Sequence, residues 1–150
     1  MSENVVSDSA CLIGLERIGR SEILADSFDT VYIPPAVERE LGYKLNWLVV
    51  EPVRNFAFVK TLRMQLGEGE SEAMALAVEL DELLVLDDKK ARRIAQKIGL
   101  EIIGTVGLLL RAKARGVISE VKPILNALNA VDFRISPKLY QQALFLAQEN

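Results

Sequence analysis

The chain has 150 residues, half of them hydrophobic and 26% charged, with a net charge of −3, one cysteine and no histidine. Such a length buries a core without staples, and the lone Cys11 excludes an internal disulfide. Without histidine, serine–histidine and cysteine–histidine nucleophiles are excluded and zinc lacks its usual ligands, so any catalysis falls to carboxylates, which suit magnesium or manganese.

No signal-peptide pattern opens the sequence, and its apolar runs fall far short of the roughly 20 residues that cross a bilayer. The expectation is a cytoplasmic protein without a membrane partner. Mild acidity argues against broad electrostatic capture of nucleic acid and leaves local basic patches as the route to it.

Short β-branched runs alternate with helical periods. Residues 4–7 read as a strand that ends at Asp8 and Ser9, followed by helices over 10–19 and 21–28. Residues 30–33 form the second strand, and Pro34 and Pro35 open a helix that Gly42 closes. A third strand over 47–53 precedes helices over 54–66 and 70–80, and a fourth over 83–86 ends at Asp87 and Asp88. The helix over 89–99 ends at Gly99, a fifth strand covers 101–104, and the helix from Val106 ends at Gly116. Helices over 120–131 and 137–149 complete the chain, the last with Ser136 as its N-cap. Strands without polar alternation belong to a parallel sheet covered by helices on both faces. No repeat or linker divides the sequence, so one domain over residues 1–150 is expected.

Ligands of parallel α/β sheets collect at the carboxyl ends of the strands. That puts Asp8, the Asp87–Asp88 pair, and Gly104 with Thr105 on one edge. Carboxylates gathered there raise one another's pKa unless a divalent cation neutralises them, which is the reason to expect a magnesium site. Singly, Asp8, Ser9, Asp87 and Asp88 are also good N-caps, worth about 1 kcal/mol each. Glu40 lies in the last turn of its helix, where the dipole disfavours a negative charge by roughly 0.3–1 kcal/mol, so a purely structural role fits it poorly. Glu38, two residues earlier, faces elsewhere. In "LGEGESEAMALA", Glu68, Glu70 and Glu72 complement a helix start. Glu72 borders the apolar stripe of Ala73, Leu76, Ala77 and Leu80, and is preferred over Glu70 as the acid that approaches the sheet edge.

In this order, "VVSDSACLIGLERIGRSEIL", "YIPPAVEREL", "GEGESEAMALA", "LLVLDDKKARRIAQKIGL" and "GTVGLLLRAKARGVI" resemble the PIN domain family. They most resemble a PIN-like branch grouped with the toxins of toxin–antitoxin modules, from about Val5 to Leu146. The resemblance implies a three-layer α/β/α sandwich with a central parallel sheet of about five strands, and a ribonuclease that uses Mg2+ or Mn2+. By position it implies Asp8, Glu40, Glu72 and Asp88 as catalytic acids and metal ligands, with Asp87 the rival of Asp88. It places Ser9 as the hydroxyl beside the first aspartate. The glutamate at position 72 and the "LDD" run depart from the commoner aspartate and threonine-x-aspartate pattern.

Substrate phosphates would meet Lys89, Lys90, Arg92, Arg93 and Lys97, or Arg111, Lys113 and Arg115, although such runs are also simply wet helix faces. Arg92 either pairs with Asp88, one turn away, or reaches a phosphate. Thr105 orders a water or a carboxylate, or serves as an N-cap. A haloacid-dehalogenase-like phosphatase is disfavoured because Ala10 stands where its second aspartate belongs. The other reading is a PIN-like module that binds RNA or an antitoxin, or forms a homodimer, without useful cleavage. Trp47, Phe56, Phe58 and the apolar carboxyl-terminal helices would serve it, with core packing the simpler role for most of them.

Overall fold

Five strands and nine helices alternate along the described residues, 3–150, of the computed structural model: β1 (Asn4–Ser7), α1 (Ser9–Arg17), α2 (Glu22–Ser27), β2 (Thr30–Ile33), α3 (Pro35–Leu41), β3 (Leu48–Val50), α4 (Phe56–Leu62), α5 (Glu68–Leu80), β4 (Leu83–Val85), α6 (Lys89–Lys97), β5 (Ile102–Ile103), α7 (Thr105–Ala114), α8 (Lys122–Ala130) and α9 (Pro137–Leu146). The strands form one wholly parallel sheet in the order β3-β2-β1-β4-β5. Val5, Val6, Leu84 and Val85 are fully buried, as expected of central strands covered on both faces. The result is an α/β sandwich.

The connections run outward from β1 in both directions, to β2 and β3 on one side and to β4 and β5 on the other. The chain therefore reverses between β1 and β4, the topological switch point where a crevice opens at the strand ends. Ser7 is paired with Val85, so the residues that follow, Asp8 and Leu86, emerge side by side. The Asp8 N–H still donates to the Val85 carbonyl at 3.1 Å, which fixes the turn out of the sheet.

Most of the expected boundaries stand. Gly42 closes α3 in the left-handed conformation at φ 72°, and Ser136 caps α9 by accepting from Leu139 N. The largest differences are in three elements that are shorter than their apolar runs. The third strand covers only Leu48–Val50 and the fifth only Ile102–Ile103, because both lie at sheet edges with one neighbour each. The helix expected to reach residue 66 stops at Leu62, where the chain turns toward Gly67, the N-cap of α5. Core packing does not extend to Phe56, which is 70% exposed, or to Phe145 at 81%.

Candidate metal centre

Asp8 has two structural duties. As N-cap of α1, its Oδ1 accepts from Cys11 N at 3.1 Å, while Oδ2 accepts from Asp87 N at 3.2 Å. The side chain thus ties the end of β1 to the end of β4. It is only 5% exposed. Burial, then the negative charge of Asp87, outweigh both hydrogen bonds and push the Asp8 carboxyl up to about 8. Two amide donors at the start of a helix do not offset that burial.

Asp87 is held by the start of α7. Thr105 N donates to its Oδ1 at 2.8 Å and Thr105 Oγ1 to its Oδ2 at 2.6 Å. Thr105 is therefore the first residue of its helix and holds a carboxylate, while Gly104 takes the N-cap position without a side-chain bond. The N-cap expectation for Thr105 gives way because the half-buried Asp87 offers the fully buried Thr105 hydroxyl a charged acceptor. Asp88 caps α6, accepting from Ala91 N at 2.9 Å. Arg92 pairs with neither acid. Its Nη1 donates to the Leu86 carbonyl at 2.8 Å and lies over Gly104, bracing the floor of the crevice. Ser9 opens α1, half-buried beside Asp8.

The remaining acids come from α3 and α5, which pack together. Glu40 extends over Gly69: a methyl group there would overlap Glu40 Oε1 and stand 2.8 Å from its Cδ. Glu70 is half-buried and follows Gly69. Burial and then the charges of Asp88 and Glu40 raise its carboxyl, and Glu70 in turn contributes to raising Asp8. Asp8, Asp87, Asp88, Glu40 and Glu70 thus form one electrostatically connected group around the β1/β4 crevice.

Glu72 is not part of that group. Its Oε1 accepts from Ala36 N at 3.0 Å in the first turn of α3, and its Oε2 meets Arg63 at 3.3 Å and Arg39 at 3.9 Å. With a side chain 13% exposed and these partners, Glu72 locks α5 to α3. The expectation that it would face the sheet edge fails for a geometric reason. The helix begins at Glu68, so Glu68 and Glu72 lie one turn apart, and both reach the same two arginines, Arg39 and Arg63. Glu70 lies about half a turn away on the crevice side. The two glycines before it, Gly67 and Gly69, are the available signal: Gly69 carries no side chain because Glu40 occupies that space.

A family model described as a PIN domain matches residues 4–149. The chain belongs to the PIN domain family. Among solved structures, this PIN domain is similar to a PilT N-terminus domain protein from the hyperthermophilic archaeon Sulfolobus solfataricus, with a TM-score of 0.52 and 21% identity over 73% of this chain and 92% of that one. That likeness is one of fold. No curated protein matches the chain. PIN domains are in general nucleases that use divalent metal ions.

The residues of this PIN domain fit such an ion in their chemistry. The donors are all carboxylate oxygens, Asp8 and Glu70 are both raised by burial and by neighbouring carboxylates, and Gly69 leaves space for Glu40 to enter. Among the described residues, no three of these carboxylates converge as a finished ligand set. Nor does any described helix have the length and apolarity to cross a membrane.

Proposed function

We propose that this PIN domain is a metal-dependent ribonuclease that hydrolyses phosphodiester bonds, with Asp8, Glu40, Glu70 and Asp88 holding Mg2+ or Mn2+ and Asp87 positioned by Thr105. The observation that carries the reading is Asp8: a carboxyl buried at the topological switch point of the sheet, beside Asp87, whose ionisation is suppressed in the absence of a cation. The chemistry supplied by a bound divalent cation is activation of water and neutralisation of charge on the attacked phosphate. The protein's own contribution is positional. Asp8 bridges α1 and the β4 end, Thr105 fixes both oxygens of Asp87, and Arg92 braces the Leu86 carbonyl beneath them. Glu72 holds α3 on α5 and so sets Glu40 against Glu70. Incubation with a mixed set of single-stranded RNAs in magnesium, manganese or EDTA tests the reading: cleavage is expected with either metal and abolished by EDTA, and absence of cleavage throughout would count against it.

One group of residues favours a second reading, a binding module whose partner is an antitoxin protein or a second copy of the chain. Phe145 and Leu146 in α9 are 81% and 67% exposed, and Phe56 and Met64 are 70% and 83% exposed near α4. Light scattering of the purified chain tests the homodimer: a twofold mass that Phe145→Ser reduces to one supports it, and a monomer opposes it.

A further inference from the structure

Two clefts share a wall beside the acidic crevice. The larger, of about 680 Å³, lies under the connection between α8 and α9 and is lined in part by Asn129, Phe133 and Arg134. The smaller, of about 460 Å³, lies where α6 approaches the start of α7 and is lined in part by Arg92 and Gly104. Asp87, Lys89, Val106 and Leu139 line both, so the two form one path past Asp87.

The lining suits a particular ligand. Lys89 and Arg134 are exposed and make no ion pair among the described residues, in a protein of net charge −3. With them in the larger cleft stands the half-buried ring of Phe133. That ring is seated rather than loose: a methyl group on Gly14 of α1 would stand 2.6 Å from its Cδ2. The connection that carries it is pinned as well. Phe133 N donates to the Leu128 carbonyl at 3.0 Å, Ile135 N donates to Asn129 Oδ1 at 2.9 Å, and Asp132 turns the chain at φ 65°. Unpaired cations in the same cleft as a seated aromatic ring suit the charge and the bases of an unpaired nucleic acid strand.

We propose that these joined clefts form the track for single-stranded RNA at the acidic centre, with backbone phosphates on Lys89 and Arg134 and one base stacked on Phe133. The inference rests on the nuclease reading and adds the side on which the strand lies and the residue that grips a base. An acidic crevice repels phosphates, so the cations must stand to one side of it, and Lys89 and Arg134 do so on the same path as Asp87.

The test is fluorescence anisotropy of the full chain with a labelled short single-stranded RNA in EDTA, alongside an abasic strand of equal length. Phe133→Ala is expected to weaken RNA binding about tenfold and to leave the abasic strand unaffected. Phe133→Leu, which keeps an apolar side chain in the same seat, should do the same if the ring itself grips the base. Lys89→Ala and Arg134→Ala should weaken both strands and each reduce the slope of log affinity against log salt by about 0.7. Lys60→Ala, on α4, should change nothing. Variants that all bind like the parent, or a parent that binds no RNA, would overturn the track. Cleavage in manganese separates the two claims. Cleavage with unaltered KM in the Phe133, Lys89 and Arg134 variants removes the track and leaves the nuclease standing. RNA binding that depends on these residues, without cleavage by the parent, leaves the track standing and removes the nuclease.

Discussion

Glu40 lays its carboxylate over Gly69, in the space where any other residue would carry its Cβ. The contact joins the last turn of α3 to the first turn of α5 and brings Glu40 against Glu70. Gly69→Ala should therefore separate stability from function. Alanine favours a helix over glycine by roughly 1 kcal/mol, and the atoms it meets are the far end of a flexible side chain. The variant should melt at or slightly above the parent temperature and lose most of its stabilisation by Mn2+. A cooperative loss of the fold would show that the contact is structural.

Asp8 makes the metal-free protein sensitive to pH. Its carboxyl titrates near 8 in the fold and near 3.9 in an unfolded chain, so between those values the folded state binds the extra proton. Stability without metal should be highest at the acidic end of that window and fall as pH rises toward 8. Asp8→Asn removes the titration and should flatten the profile. Thermal melts in EDTA from pH 5 to pH 8, on the order of one point per half unit, check the sign; a parent that gains stability with rising pH across this window would contradict it.

Glu70 and Glu72 should respond oppositely to the same chemical change. Glu70→Gln removes a charge from the acidic group and should relieve repulsion, leaving the metal-free melting temperature unchanged or raised while weakening Mn2+ binding. Glu72→Gln weakens the contacts with Ala36 N, Arg63 and Arg39, costing about 1–2 kcal/mol of stability. Calorimetric scans with and without Mn2+ distinguish them. Equal effects of the two variants would remove the distinction between a ligand and a brace.

Glu149 is the brace at the carboxyl terminus. It accepts from Val121 N at 2.8 Å and Lys122 N at 3.0 Å and pairs with Lys113 at 2.9 Å, so it caps α8 from a distance. Burial pushes its carboxyl up, but the bonds from Lys113, Val121 and Lys122 prevail and hold it below the usual carboxylate range. The stability this supplies is present above that range and is lost as pH falls through the lowered value. Glu149→Gln should cost about 2 kcal/mol at neutral pH and much less in acid, read by urea denaturation.

Much of this was legible in the sequence, for definable reasons. The strand ends were visible because uninterrupted apolar runs stop at aspartates, and those same aspartates were visible as caps; Asp8 and Asp88 both proved to be N-caps. The choice among Glu68, Glu70 and Glu72 was not legible, because it depends on partners distant in sequence. Arg39 of α3 and Arg63 after α4 take up Glu68 and Glu72, which leaves Glu70 to the crevice. Thr105 was ambiguous for a similar reason: a hydroxyl at a helix start serves the helix by default, and only the fold brings Asp87 within its reach. The long-range brace of Glu149 leaves no local pattern at all.

The proposed nuclease requires the acids at the β1/β4 crevice to bind a divalent cation through Asp8. Isothermal titration of Mn2+ into the parent and into Asp8→Asn at pH 7, in two buffers of different ionisation enthalpy, tests it most directly. The parent should bind saturably with release of about one proton, since Asp8 must ionise to become a ligand, and the variant should lose both. Binding of equal strength in parent and variant, or no binding by either, would contradict it.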